Sequence, residues 1–354
     1  MDKRIENKMG SFLMLTLALA LPVLSFAGGW DRSLADFPSG DDDAARIQRA
    51  IDALPLGTLY VPRGEYAIAR TIHVTNNCSL VLNKGAVLRA AAALPYVMRI
   101  DCDKAKSDRS CFVEGGQIDG DGRASCAYIA NFAHYTMRDV TFLNGLKYGL
   151  HVVGGYELIA NNLYFKCTKN GMAGNAGLFV QGGDSHYTDC VAVDWTVGFR
   201  IQGGANRLTR CHTWGGPVPP AKKGEPPEML KDSINFWIDT GCSTILRDCY
   251  ADSGKIGFLV DGWGDGDTRL LGCSYFNNKI FGLDDITVIK HVHGRLLVAD
   301  GSVTKSAPHM KVYEGSCPVV WQNMLYSGFG KDDDCPGAIL RDCGNPASLK
   351  LAGD

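Results

Sequence analysis

The chain has 354 residues, 45% hydrophobic and 21% charged, the proportions of an ordinary globular protein, which excludes a wholly disordered or collagen-like polypeptide. Its 36 Lys and Arg stand against 38 Asp and Glu, for a formal net charge of -2 with no long block of one sign. Non-specific nucleic-acid binding therefore has no electrostatic support, and no nucleic-acid partner is expected.

Lys3, Arg4 and Lys8 precede an apolar stretch from Ser11 to Phe26 that is broken by Pro22 and followed by the small residues of a cleavage site at Ser25 and Ala27. This pattern predicts a signal peptide over residues 1–27 and a product that is secreted or periplasmic. The stretch is short for a membrane span of about 20 residues, so no membrane association is expected after its removal. Residues 28–56 then hold a helix start at Asp41, Asp42 and Asp43, with Ala44, Ile47, Ala50, Ile51 and Leu54 at helical spacing and Pro55 as the stop. A short helix of this kind can cap the open edge of a sheet. Strands follow from Gly57 to Tyr66, Thr71 to Val74 and Ser79 to Leu82.

Beyond them a heptapeptide recurs: GLHVVGG at 149–155, GLFVQGG at 177–183, GFRIQGG at 198–204, NFWIDTG at 235–241 and GFLVDGW at 257–263, with a weaker IFGLDD at 280–285. Each is a period-two strand ended by a turn. The fifth residues step by 28, 21, 37, 22 and 23 from Val153 through Gln181, Gln202, Asp239 and Asp261 to Asp284, a repeat of about 22 with one long insertion. A second strand precedes each copy by a near-constant distance, at Met137–Phe142, Leu163–Cys167, Thr188–Val193, Leu208–Thr213, Ile245–Ala251 and Leu270–Tyr275. Short strands with no helix between them predict an all-β solenoid whose coils stack strand on strand, over residues 57–345 with a tail at 346–354.

Alternation sorts the side chains. Leu150 and Val152, Leu178 and Val180, Phe199 and Ile201, Phe236 and Ile238, and Phe258 and Val260 point inward. Cys190, Cys211, Cys249 and Cys273 share one position of the second strand and read as a buried ladder of small hydrophobes. Export permits disulfides among the 13 Cys, an odd number, and the local candidates are Cys102 with Cys111 and Cys335 with Cys343.

The Asp-rich helix, the segment from Leu59 to Tyr66 (LYVPRGEY) and the coil pattern of residues 130–290 resemble the pectin-lyase-like superfamily of right-handed parallel β-helices. That resemblance implies a right-handed parallel β-helix with an N-terminal capping helix, and a role among polysaccharide hydrolases, lyases, epimerases or phage tailspikes. Trp237, Ile238 and Asp239 look like part of a pectate-lyase signature, but Thr240 stands where that signature has His. Asp284 and Asp285 resemble the paired Asp of polygalacturonases, whose accompanying motifs are missing.

The outward columns carry the candidate chemistry. The fifth-position column ends in Asp239, Asp261 and Asp284, preceded by Gln181 and Gln202; the third-position column reads His151, Phe179, Arg200, Trp237, Leu259 and Gly282. Carboxylates on strands about 4.8 Å apart repel by roughly 3 kcal/mol at a dielectric of 20, so the stack has three outlets. A shared proton serves glycoside hydrolysis by acid and base, with no cofactor required. A bound Ca²⁺ suits a lyase acting on a uronic-acid polymer, and plain solvation leaves a non-catalytic glycan-binding or structural β-helix. Arg200, Gln202, Gln181, Trp237 and Trp263 are the expected contacts to a poly- or oligosaccharide. The Pro-rich insertion between Trp214 and Lys231 can form a wall of the cleft, with Glu225 and Glu228 overhanging the carboxylates or simply solvated. Trp214 falls near the column, and His151 lies three coils from Asp239, too far for direct partnership.

Overall fold

A computed structural model describes residues 30–40, 42–102, 111–168, 174–215, 217–218, 228–229, 233–240, 243–263, 266–276, 285–331 and 333–341. The expected signal peptide, Glu225, Asp284, Gly282 and Cys343 lie outside the described residues. No helix among the described residues is long and apolar enough to cross a membrane.

The alternating strands coil into a parallel β-solenoid with three sheets: sheet 1 of ten strands, and sheets 2 and 3 of twelve each. One coil shows the pattern. Tyr148–Val153 lies in sheet 1, Tyr156–Asn161 in sheet 2 and Tyr164–Lys166 in sheet 3, and the chain returns to sheet 1 at Ala176–Val180. Register is kept from coil to coil, with Leu150 against Leu178, Leu178 against Phe199, Phe199 against Phe236 and Phe236 against Phe258. The only antiparallel pair among the described residues is the small hairpin of Pro217–Val218 with Glu228–Met229, inside the long insertion.

Apart from Leu163–Cys167, which holds the single strand Tyr164–Lys166, the second strands expected from the sequence each divide in two. Between sheets 2 and 3 one residue takes the left-handed conformation, at Asp139, Asn162, Asp189, Arg210, Asp248, Gly272, Asp300 and Asn323. Short polar residues and glycine bear this conformation at low cost, and side chains stack along the corner, as Asn162 Nδ2 donates to Asp139 Oδ1 at 2.6 Å and Asn323 Nδ2 to Asp300 Oδ1 at 3.0 Å. The bend turns the chain through a corner that a period-two reading takes as one continuous strand.

The inward residues expected from the alternation are all buried, from Leu150 to Val260. Their rings form an internal column: Phe236 lies with its centroid 5.5 Å from Phe199 and 5.2 Å from Phe258. The Cys ladder is buried as well, and Cys190, Cys211, Cys249 and Cys273 each donate a weak hydrogen bond to a backbone carbonyl. Cys102 carries a free thiol, so the expected bridge to Cys111 is not formed; both sulfurs are buried, and Cys111 donates to the Asn77 carbonyl at 3.4 Å. The glycine that opens a repeat copy is a packing requirement, since a Cβ at Gly149 would sit 2.5 Å from the Gly177 carbonyl oxygen of the next coil.

Helix α1 spans Asp43–Asp52, with Asp42 as its N-cap accepting from the Ala45 amide. Ala44, Ile47, Ala50 and Ile51 are buried and join the solenoid core, closing its first coil. Arg32–Ser33 already pairs with Leu59 and Tyr60, so sheet 2 begins ahead of the helix.

Candidate functional site

Sheet 1 aligns its outward residues into one row. In register across the ten strands it reads His73, Arg99, Tyr128, His151, Phe179, Arg200, Trp237, Leu259, Lys290 and Glu314. Phe179, Arg200, Trp237 and Leu259 thus hold the neighbouring positions expected of them, while Lys290 takes the position assigned to Gly282. Beside the row, Gln181, Gln202 and Asp239 follow the strand ends and continue the ladder, each amide donating 2.7 Å to the previous coil.

These side chains are linked. Tyr96 Oη lies 2.7 Å from His151 Nδ1, and His151 Nε2 lies 2.9 Å from Gln181 Oε1. Gln181 Nε2 donates to Gln202 Oε1 at 2.7 Å, and Gln202 Nε2 to Asp239 Oδ2 at 3.3 Å. A neutral imidazole protonated at Nε2 and accepting from the tyrosine at Nδ1 satisfies every contact in this chain. Burial favours that neutral form by lowering the His151 pKa, and burial pushes the Tyr96 phenol up to about 12. His151 and Asp239 are therefore not direct partners but the two ends of a relay through two glutamines.

Aromatic rings crowd the same face. His151 stacks on Phe179 at 5.0 Å and packs against Tyr148 at 4.5 Å and Tyr128 at 5.5 Å. Arg200 lies between Phe179 and Trp237, its Cζ 5.0 and 4.0 Å from their centroids, and donates to Asp239 Oδ2 at 2.7 Å. Trp237 Nε1 and Arg200 Nε are buried and have no hydrogen-bond partner.

Of the expected column of three carboxylates, Asp239 and Asp261 are described and each has its own partner. Asp239 has Arg200 as its counter-ion, and Asp261 has His293, whose Nδ1 lies 3.0 Å away. Asp261 pairs with His293 across a register shift that follows Val260, and the strand beside it is Asp285–His293. Trp263, two residues after Asp261, is 67% exposed. Glu228 is described only as part of the small hairpin. Trp214 belongs to sheet 3, between Val193 and Asp252, and not to this face.

Tyr96, Tyr128, Tyr148, Arg99 and His293 were not legible as site residues. Tyr148 directly precedes a repeat copy and could have been found by extending it; Tyr96 and Tyr128 lie in coils without the Gly-Gly ending. Among the described residues no three His, Cys, Asp or Glu side chains converge to hold a metal ion.

A second outward group occupies sheet 3. His212 stacks on Tyr250 at 4.5 Å and Tyr250 packs against Phe276 at 4.8 Å, beside Asp252. At the nearby turn Asp194, with φ 64°, has a buried Oδ1 without a hydrogen-bond partner, and burial pushes its pKa up to about 6 from 3.8. A raised carboxyl favours folding in its protonated form, so stability falls as pH rises from about 4 to about 6 and stays reduced above. Asp194→Asn, which keeps the left-handed backbone, is expected to raise Tm at pH 8 by a few degrees, corresponding to about 1 kcal/mol after screening by water at this half-buried group. At pH 4 the variant and the wild type should melt together; an equal gain at both pH values would refute the burial argument.

No family model matches the chain, and no curated protein sequence does. Solved structures do. A Geobacillus virus E2 protein, ORF18, aligns with a TM-score of 0.62 and 14% identity over 84% of this chain, which spans 62% of the length of that protein. An alginate lyase from Paenibacillus aligns with a TM-score of 0.55 and 14% identity, over 82% of this chain and 99% of the other. The tailspike of E. coli bacteriophage HK620, solved with a pentasaccharide, aligns with a TM-score of 0.53 and 13% identity, over 85% of this chain and 66% of its own. At these identities the likeness is one of fold: the chain is a right-handed parallel β-helix.

Proposed function

We propose that this protein acts outside the cytoplasm on a polysaccharide, which it binds along the outward row of sheet 1 and hydrolyses at the carboxylates beside Trp237 and Leu259. The carrying observation is the row itself: rings from Tyr128 to Trp237, edged by Gln181 and Gln202, lead to two carboxylates on consecutive coils with different partners. Rings offer platforms for the C–H faces of sugars, and the amides offer both donors and acceptors to hydroxyls. An alginate lyase and a tailspike bound to a pentasaccharide share the solenoid, in keeping with this reading.

In hydrolysis one group must deliver a proton to the departing oxygen while another takes a proton from the attacking water. Asp239, fixed by Arg200 and Gln202, is the base. The Asp261–His293 pair, one strand away, carries the proton for the leaving group. Incubation with a panel of purified polysaccharides should release reducing ends without near-ultraviolet absorbance.

A second reading, elimination on a uronic-acid polymer, has one observation in its favour: the neutral His151, 2.7 Å from Tyr96, is a base beside a proton donor. It predicts an unsaturated, ultraviolet-absorbing product, and a calcium-assisted form would stop with chelator. Tight binding with no cleavage of any bound polymer would leave only a glycan-binding protein.

A further inference from the structure

The strands of sheet 1 carry four Arg or Lys side chains among the described residues, and each is already ion-paired on its own face. Arg99 holds Asp101 through two contacts of 2.5 and 3.3 Å and lies 4.3 Å over the Tyr128 ring. Arg200 holds Asp239 at 2.7 Å, and its planar surfaces meet Phe179 and Trp237. Lys290 and Lys311 both lie 3.3 Å from Glu314. His151, at the centre of the row, is held in its neutral form by burial.

A uronate or sulfate group arriving on this row would find, among the described residues of these strands, no guanidinium free to clamp it. Its attraction to Arg200 is matched by repulsion from Asp239 at similar range, while the cost of stripping water from the anion stands uncompensated. Hydroxyls meet the opposite situation, with Gln181 and Gln202 on the edge and aromatic surface on the floor.

We propose that the polysaccharide taken by sheet 1 is uncharged. The inference rests on the reading of that sheet as the glycan-binding face and adds the substrate class, which also separates hydrolysis from elimination, since elimination needs a uronate.

The test measures binding and reducing-end release by the full chain with galactomannan, xyloglucan and laminarin on one side and alginate and polygalacturonate on the other. Each is run at about 20 mM and about 300 mM NaCl, where screening of surface charge differs strongly, and each is repeated with Trp237→Ala. The expected result is an uncharged polymer bound and cleaved, a Kd that changes less than about twofold with salt, and at least a tenfold loss in Trp237→Ala. Preference for a polyuronate, weakened tenfold or more by salt and lost in Trp237→Ala, would overturn the substrate class while keeping the face. Binding that Trp237→Ala leaves intact, or binding of no polymer, would overturn the face and the inference together.

Discussion

Asp239→Asn and Asp261→Asn are each expected to lower kcat by about a thousandfold, the range for removing a general acid or base, with Tm changed by only a few degrees. The first substitution removes the proton acceptor but keeps an oxygen opposite Arg200 Nη2, which now lies 2.7 Å from Asp239 Oδ2. The guanidinium stays between Phe179 and Trp237, so the local packing survives. The second frees His293 from a partner that is 35% exposed at the side chain, where an ion pair contributes little to stability. Steady-state kinetics on the polymer identified by the panel, with thermal melts alongside, separate lost chemistry from lost folding. Wild-type turnover in both variants would place the reaction elsewhere on the solenoid.

Phe236→Ala should be the most damaging single truncation in the core. Phe236 is fully buried and meets Phe199 in the preceding coil and Phe258 in the next. Removing a buried Phe costs about 3–5 kcal/mol where neighbours cannot collapse into the space, and strands held in register on both sides leave little freedom to do so. In a solenoid the loss falls on the two coil interfaces that the ring touches, so hydrogen exchange should quicken in strands Val197–Ile201 and Ile256–Asp261 before it does in the first coils. Leu325→Ala, at a side chain 37% exposed, serves as the control and should change stability by less than about 0.5 kcal/mol. Uniform quickening along the whole chain would argue for a single cooperative unit.

The sequence by itself determined the solenoid, the inward residues, the Cys ladder and the capping helix. All of these rest on short-range rules: side chains alternate along a strand, a helix start carries acids, and a turn ends each copy. The same rules placed Arg200, Trp237 and Asp239 as neighbours, because coils of 21 to 37 residues keep their strand ends in register even when an insertion intervenes. Only the tertiary structure decided that His293 lies against Asp261. Only the structure joined Tyr96 to His151, 55 residues apart, and set Arg200 between two rings and a carboxylate. The physical reason is that periodicity fixes which side of a strand a residue faces, whereas its charge partner depends on the register between coils and on side-chain reach. An inserted loop changes that register without altering the local alternation.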